Sequence, residues 1–439
     1  MLELIKNKYQ TSSLIKRFAG GTLWSFWAGF TYNVSFLLIG IILSHILGQY
    51  SYGQYGMVRS TINMFIVFSS FALGTTATKY VAQYRLTDRL KTERIINLSL
   101  IASLILAMVV FSVCFLSSGY LALNTLHAEN LITPLRIASW MILFLTLSSV
   151  VNGILIGYEE FFLIFKQNVI AVCFLLICST GASYLFQLNG ALVGLLIYLF
   201  TSLCLGIYYL RGIYIREKLK FSLNGIKQEV KILWQFSLPS TLGGLVYTPI
   251  IWITNTILVN SPAGYEAMAG LDIIRQWYSA VLFIPTIAGR VVLPMLSNFS
   301  EQATSREYNK VLAYSLLTNV GSAILISLGL FLVSTPLLSL YGASFLSFKV
   351  PFGIMMLVAV IFVANAIVGQ IILSKNFAWW GFLFNSIWAI VFVYLNILFV
   401  QEHNMGVLGV SLAYLISYFV HTIVQSIFSW FILRERKSH

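Results

Sequence analysis

The sequence predicts an all-α integral membrane protein: twelve transmembrane helices in two pseudo-symmetric six-helix lobes around a central cavity, both termini cytoplasmic. Three observations predict it. Hydrophobic residues make up 59% of the 439 and charged residues only 9%, where a soluble domain carries about 25% charged residues. Apolar runs recur at the length of a bilayer-crossing helix, about 20 residues. Positive charge falls in every second gap between those runs, as the positive-inside rule requires of cytoplasmic loops.

The runs place spans at 20–46, 52–78, 95–122, 132–157, 161–186, 190–211, 231–259, 265–296, 310–335, 350–373, 377–400 and 407–432. Ahead of the first, Lys6, Lys8, Lys16 and Arg17 lie in a basic amphipathic stretch, Met1 to Phe18. It suits an interfacial segment better than a cleavable signal, because it runs into a full-length span. The second gap holds Lys79, Arg85, Arg89, Lys91 and Arg94, and the sixth holds Arg211, Arg216, Lys218, Lys220, Lys227 and Lys231. Lys166, Arg306, Lys310, Lys375 and the tail residues Arg434, Arg436 and Lys437 continue the series. The alternate gaps are short and nearly bare, Lys349 being their one clear base. Gaps so short hold no outer catalytic domain, which counts against a membrane polymerase or ligase.

The net charge of +13 follows from those basic loops and implies no nucleic-acid partner, since no stacking-plus-basic motif accompanies it. Cys114, Cys173, Cys178 and Cys204 lie in apolar runs without metal-ligand spacing and read as packing residues. His45, His127, His403, His421 and His439 are scattered. There is no Walker A, HExxH or GxSxG sequence, so neither ATP hydrolysis nor any cofactor or metal is expected.

The long basic loop near 211–231 divides the chain into a lobe of residues 1–220 and a lobe of 221–439. Arg59 lies six residues after Gly53 in the second span, and Arg275 five after Gly270 in the eighth, a weak echo between halves. Paired lobes about an axis along the membrane normal are a transporter architecture. Four spans carry polar stripes: Ser25, Gly29, Asn33, Gly40 and Ser44; Arg59, Asn63, Ser70 and Gly74; Ser237, Thr241, Gly244, Thr248 and Asn255; and Asp272, Arg275, Gln276 and Ser279. Small and hydroxyl residues also let membrane helices approach closely, so those positions serve packing as readily as cavity lining.

The charged positions point more sharply to function. An arginine at mid-helix costs at least about 3 kcal/mol and faces a protein interior or a watery cavity. Arg59 has no acidic neighbour within a turn, whereas Asp272 and Arg275 stand at i, i+3 and can pair on one face. That pair is either self-neutralised structure, or an anion contact (Arg275) beside a tuning or coupling-ion group (Asp272). A guanidinium fork suits phosphate or carboxylate because it stays charged and donates two parallel hydrogen bonds. Trp24, Trp27, Tyr32, Tyr247 and Trp277 either stack on sugar faces or serve packing and the interfacial belt. Pro239, Pro249, Pro285 and Pro294 bend the seventh and eighth spans, as static kinks or as part of a gate.

Three short motifs carry a resemblance: Leu47-Gly48-x-x-x-Tyr52-Gly53, Thr78-Lys79-Tyr80-Val81-Ala82 and Leu293-Pro294-Met295-Leu296-Ser297. With them the whole chain resembles the O-antigen (Wzx-type) flippases of the multidrug/oligosaccharidyl-lipid/polysaccharide exporter superfamily. The resemblance implies two six-helix lobes, alternating access, and a bacterial inner-membrane protein that moves an undecaprenyl-pyrophosphate-linked oligosaccharide outward. Substrate contacts then fall to Arg59, Arg275, Asn33, Asn63, Asn255 and Gln276, with Asp272 the coupling-ion candidate. Expected partners are that lipid-linked sugar, membrane lipid, and a polysaccharide polymerase and chain-length regulator as candidates. The twelve-helix count departs from the fourteen-helix peptidoglycan-precursor branch. An ion-coupled multidrug exporter of the same fold is the rival reading. It needs acidic groups inside the lobes, and the first lobe shows no clear mid-helix carboxylate.

Overall fold

The computed structural model describes the backbone of residues 2–302, 305–374 and 377–435. It describes the side chains of 20–283 (239, 242 and 243 excepted), 285, 313–370, 372, 377 and 379–430. The expected basic positions Lys375, Arg436 and Lys437 lie outside the described residues.

Helices come in chain order as α1 (Leu2–Ser70), α2 (Leu73–Tyr84), α3 (Arg89–Tyr120), α4 (Ile132–Gly157), α5 (Phe161–Arg216) and α6 (Leu238–Val259). Then follow α7 (Gly264–Gln302), α8 (Ser305–Leu332), the short α9 (Ser334–Ser339), α10 (Lys349–Ser374), α11 (Ala378–Asn396) and α12 (Gly406–Glu435). Among the described residues, eight helical stretches are long and apolar enough to cross a membrane. Two of them, Gly20–Ser70 and Phe161–Arg216, run to 51 and 56 residues, more than twice what one crossing needs. Each is broken once, at Gly48 (φ 71) and at Gln187 (φ 49). Gly48 is the residue type that enters the left-handed region without a Cβ penalty. At Gln187 the helix folds back on itself, since Ser179 Oγ donates to the Ala191 carbonyl at 3.2 Å.

The second predicted span, 52–78, does not run through. Phe71 and Ala72 both take positive φ (41 and 47), which ends α1 and restarts the chain as α2. Neither residue is Gly or Pro, so no local signal marks the break; packing imposes it. Short π-helical turns at Leu121–Thr125, Leu233–Ser237 and Ile397–Glu402 flank α3, α6 and α11.

The chain forms two compact units. Unit 1 comprises Met1–Ile39, Thr61–Leu123 and Ala128–Leu245; unit 2 comprises Gly40–Ser60, Asn124–His127 and Val246–His439. In unit 1, α4 packs on α2, α3 and α5 around Leu73, Ala77, Val81, Ile96, Ile154 and Leu203. Asp88 caps α3 by accepting from the Lys91 amide at 2.9 Å, which satisfies one of the helix's orphan donors. The basic loop after α5 is held to α3: Asn97 donates to the Lys220 carbonyl (2.9 Å) and Glu93 accepts from the Lys220 amide (2.8 Å). Arg85 pairs with Glu159, and Arg216 with Glu160 and Glu217.

In unit 2, α10 packs on α7, α8 and α12, with α11 on α12. The inserted segment 40–60 lies deep in it: Tyr52, Tyr55, Met57 and Val58 are all buried. Large apolar side chains such as Leu116, Ile177, Leu185 and Trp379 stand exposed. Lipid is the solvent such a surface requires, and burying it is not what drives helix association there.

Candidate functional site

The second limb of α1 brings Tyr52, Tyr55 and Arg59 to one side at i, i+3 and i+7. It can do so closely because of Gly53. A Cβ on Gly53 would sit 1.7 Å from the Tyr265 carbonyl oxygen of α7, so only hydrogen fits between the two backbones. That approach sets Arg59 beside α7, where Nη1 lies 3.5 Å from Asp272 Oδ2. Asp272 also accepts from Gln276 Nε2 at 3.3 Å, and Gln276 donates to the Tyr52 hydroxyl at 2.7 Å. The Arg59 guanidinium lies over the Tyr55 ring, 5.3 Å from its centroid.

Arg275 leaves α7 in another direction. Its Nη1 donates to Asn255 Oδ1 of α6 at 2.8 Å and its Nη2 to the Tyr414 hydroxyl of α12 at 3.2 Å. The same Tyr414 ring lies 5.8 Å beneath the guanidinium carbon. Asn255 in turn donates to Ser60 Oγ at 2.7 Å. One network therefore runs Tyr52–Gln276–Asp272–Arg59, continues through the neighbouring Ser60 to Asn255, and ends on Arg275 and Tyr414. All of it belongs to unit 2.

The i, i+3 spacing allows Asp272 to pair with Arg275, but in the structure the carboxylate lies beside Arg59, 213 residues away. The physical reason lies in helix geometry. Residues three apart diverge by about 60° around the axis and residues four apart by only about 40° in the other sense. Asp272 and Gln276 thus share the face turned to α1, while Arg275 is rotated toward α6 and α12. Among the described residues Arg275 makes no ion pair with a carboxylate, and its buried Nε has no hydrogen-bond partner.

Of the other expected contacts, Asn255 and Gln276 join this network, whereas Asn33 and Asn63 fall in unit 1. There Asn33 donates to the Gly29 carbonyl of its own helix at 2.8 Å and Asn63 is exposed. Trp24 packs against Phe162 and Phe165, and Tyr247 stacks on Trp388, so both serve packing. Arg136 donates to Ser118. Sequence reasoning missed Tyr414, Tyr55 and Ser60 as site residues. For Tyr414 a signal existed: Tyr414, Tyr418, His421 and Gln425 form a polar-edged stripe on α12 at i, i+4, i+7 and i+11.

Arginines held inside an apolar helical bundle are the mark of a site for an anion or its counter-ion. Residues 18–300 match the model of a family described as polysaccharide biosynthesis protein. The chain belongs to the polysaccharide biosynthesis protein family. The matched range spans the positions of Arg59, Asn255, Asp272, Arg275 and Gln276. Among curated relatives, the chain is 24% identical over 168 residues to the EPS I polysaccharide export inner membrane protein EpsE of Ralstonia nicotianae (strain ATCC BAA-1114 / GMI1000). It is 23% identical over 168 residues to the protein of that name from Ralstonia solanacearum. Each alignment spans 38% of this chain and 38% of the relative.

Solved structures show the fold. An inward-facing multidrug resistance MATE family transporter of the MOP superfamily superposes with a TM-score of 0.80, at 16% identity over 95% of this chain and 96% of that one. A MOP superfamily transporter from Pyrococcus furiosus, whose binding pocket is described as reversed in polarity, gives 0.71 at 14% identity over 96% of each. This family member thus has the all-helical fold of the MATE transporters and is a multi-pass membrane protein.

Proposed function

We propose that this protein is a bacterial inner-membrane flippase that carries an undecaprenyl-pyrophosphate-linked oligosaccharide outward for surface polysaccharide assembly. One observation carries the reading. Among the described residues, Arg275 finds only uncharged side chains as partners, Asn255 and Tyr414, within the helical bundle. An unmatched cation in that setting is costly, and an anionic headgroup that arrives and leaves with each cycle offsets the cost. The family match and the export relatives supply the saccharide.

In this mechanism the pyrophosphate meets Arg275, with Asn255 and Tyr414 holding the fork toward it. Arg59 is the second contact and Asp272 moderates it: substrate competes with the carboxylate, so binding is not so tight as to prevent release. Gln276 and Tyr52 hold the carboxylate in place. Twelve crossings with both termini in the cytoplasm follow if α1 and α5 each cross twice. The inside-negative potential favours outward movement of each negative charge by about 2.3 kcal/mol per 100 mV. The test is surface glycan in cells that rely on Arg275→Ala or Arg59→Ala at equal protein level. Loss of glycan supports the assignment, and full glycan in both removes it.

The shared fold with multidrug transporters favours a second reading, drug export. That reading needs an accessible carboxylate for a cation, whereas Asp272 is engaged by Arg59 and Gln276. Drug resistance on expression, with glycan unaffected by deletion, would decide for it.

A further inference from the structure

Beyond the arginine network, α12 carries a second polar cluster within unit 2. His421 is 5% exposed, and neither ring nitrogen has a hydrogen-bond partner. Gln425, one turn on, is also 5% exposed, and its Oε1 has no partner. Across from them on α10, Asn365 is 5% exposed, donates to the Tyr418 carbonyl at 3.5 Å, and leaves its Oδ1 without a partner. The two helices run in register. Asn365 sits against Tyr418, and the Cβ position of Gly369 lies 3.9 Å from Gln425 Nε2. His421 falls between these two contacts.

The inventory of this cluster is unbalanced in one specific way. The amide N–H groups aside, the atoms without a partner are two amide oxygens and the two ring nitrogens, and a neutral imidazole brings a single N–H to those oxygens. A buried acceptor left unmet pays its desolvation cost with no hydrogen bond in return. Adding one proton to the ring converts its lone pair into a second N–H, giving two donors for two amide oxygens. Among the described residues, the groups facing the ring carry no opposing charge. Tyr418 packs edge-on at 6.4 Å. On α7, Tyr278 touches Phe362, which touches Tyr418, and Arg275 reaches α12 only at Tyr414, about two turns from His421. From α11 the contact is Trp388 on Tyr418, and from α6 Tyr247 on Trp388. Among the described residues no carboxylate acts on the imidazole.

We propose that His421, Asn365 and Gln425 form a proton-binding site inside unit 2, through which transport is coupled to pH. The binding step stands on this geometry alone, while the coupling rests on the flippase reading. The proton enters from water as the imidazole lone pair takes it up, and leaves by the reverse step.

The experiment uses the full chain labelled with 15N-histidine in lipid nanodiscs. His421→Gln identifies which of the five histidine signals is His421. The expected result is a ring that titrates between about pH 4 and about pH 9. In Asn365→Leu or Gln425→Leu its midpoint falls by about one unit, the loss of one hydrogen bond to the charged form. A ring that stays in one state over that range, a midpoint unmoved by both acceptor variants, or a response to sodium in place of protons would overturn the site. In proteoliposomes, the ratio of lipid-linked oligosaccharide transport with and without an imposed pH gradient is expected to drop at least about fivefold in His421→Gln. An unchanged ratio overturns the coupling. Titration without any oligosaccharide transport by the unsubstituted protein overturns the flippase reading and leaves the site standing.

Discussion

Arg59 and Arg275 hold parallel places in the chain, six and five residues after a glycine in their helices, yet the fold treats them differently. Arg59 meets a carboxylate at 3.5 Å, and that pair is partly shielded, with side chains 25% and 16% exposed. Arg275 meets an amide oxygen and a phenol. The first is a matched charge, and the second is a cation given hydrogen bonds but, among the described residues, no carboxylate. The difference teaches that similar positions in an imperfect repeat need not share a role. A matched pair resists disruption, whereas a solvated-by-protein cation remains available to an anion.

The largest expected effect breaks the matched side. Asp272→Ala leaves Arg59 without this carboxylate; breaking a fully buried pair costs about 3–5 kcal/mol, and this partly exposed one about 2–3 kcal/mol. Thermal unfolding in nanodiscs is expected to show it, and the double variant Arg59→Met, Asp272→Leu to recover most of the loss. Equal stability of the single variant would mean that the pair is not structural. Next comes the unmatched side. Arg275→Ala is expected to lower glycan export by roughly 10- to 100-fold, the worth of about 1.5–3 kcal/mol in hydrogen bonds to a charged group. Its unfolding temperature should move far less than that of Asp272→Ala, because Asn255 and Tyr414 are neutral when left behind. A destabilisation as large as that of Asp272→Ala would erase the contrast.

Gly53→Ala sharpens the comparison from the backbone. Its methyl meets the Tyr265 carbonyl, so α1 must shift from α7, at an overpacking cost of about 1–3 kcal/mol. The damage should reach the Arg59–Asp272 contact and spare Arg275, so in the Gly53→Ala background the stability cost of Asp272→Ala is expected to shrink while the export loss from Arg275→Ala stays the same. The smallest effect belongs to Tyr414→Phe. It removes one hydroxyl acceptor from Arg275 but keeps the ring beneath it, so export should fall by only about threefold to tenfold, matching about 1 kcal/mol. No change in export would show that the phenol does not orient the fork.

Much of the helical plan was legible. Helices α4, α10 and α12 start and stop within a turn of the runs read from hydropathy, and α3 stops within a turn of its run but starts well ahead of it. Such agreement is expected where backbone groups in lipid must be satisfied within one segment. Gly48 belongs to a motif that only the family resemblance singled out, and its positive φ gives that motif a physical cause. The site was half legible: the arginines, Asp272, Asn255 and Gln276 stand out as polar residues in apolar helices. Their pairing did not. The i, i+3 spacing of Asp272 and Arg275 suggested the wrong partner, because spacing along one helix says which groups are near, not which face a neighbouring helix covers.

By itself the sequence determined that this chain is helical and membrane-embedded and which few charges lie within it, since each of those is a property of a single segment against lipid. Only the tertiary structure decided that Asp272 neutralises Arg59 and leaves Arg275 to Asn255 and Tyr414, that the chain breaks at Phe71 and Ala72, and that His421 lies among Asn365 and Gln425. Those facts depend on contacts between segments up to 213 residues apart, and no local pattern encodes the register at which two helices meet.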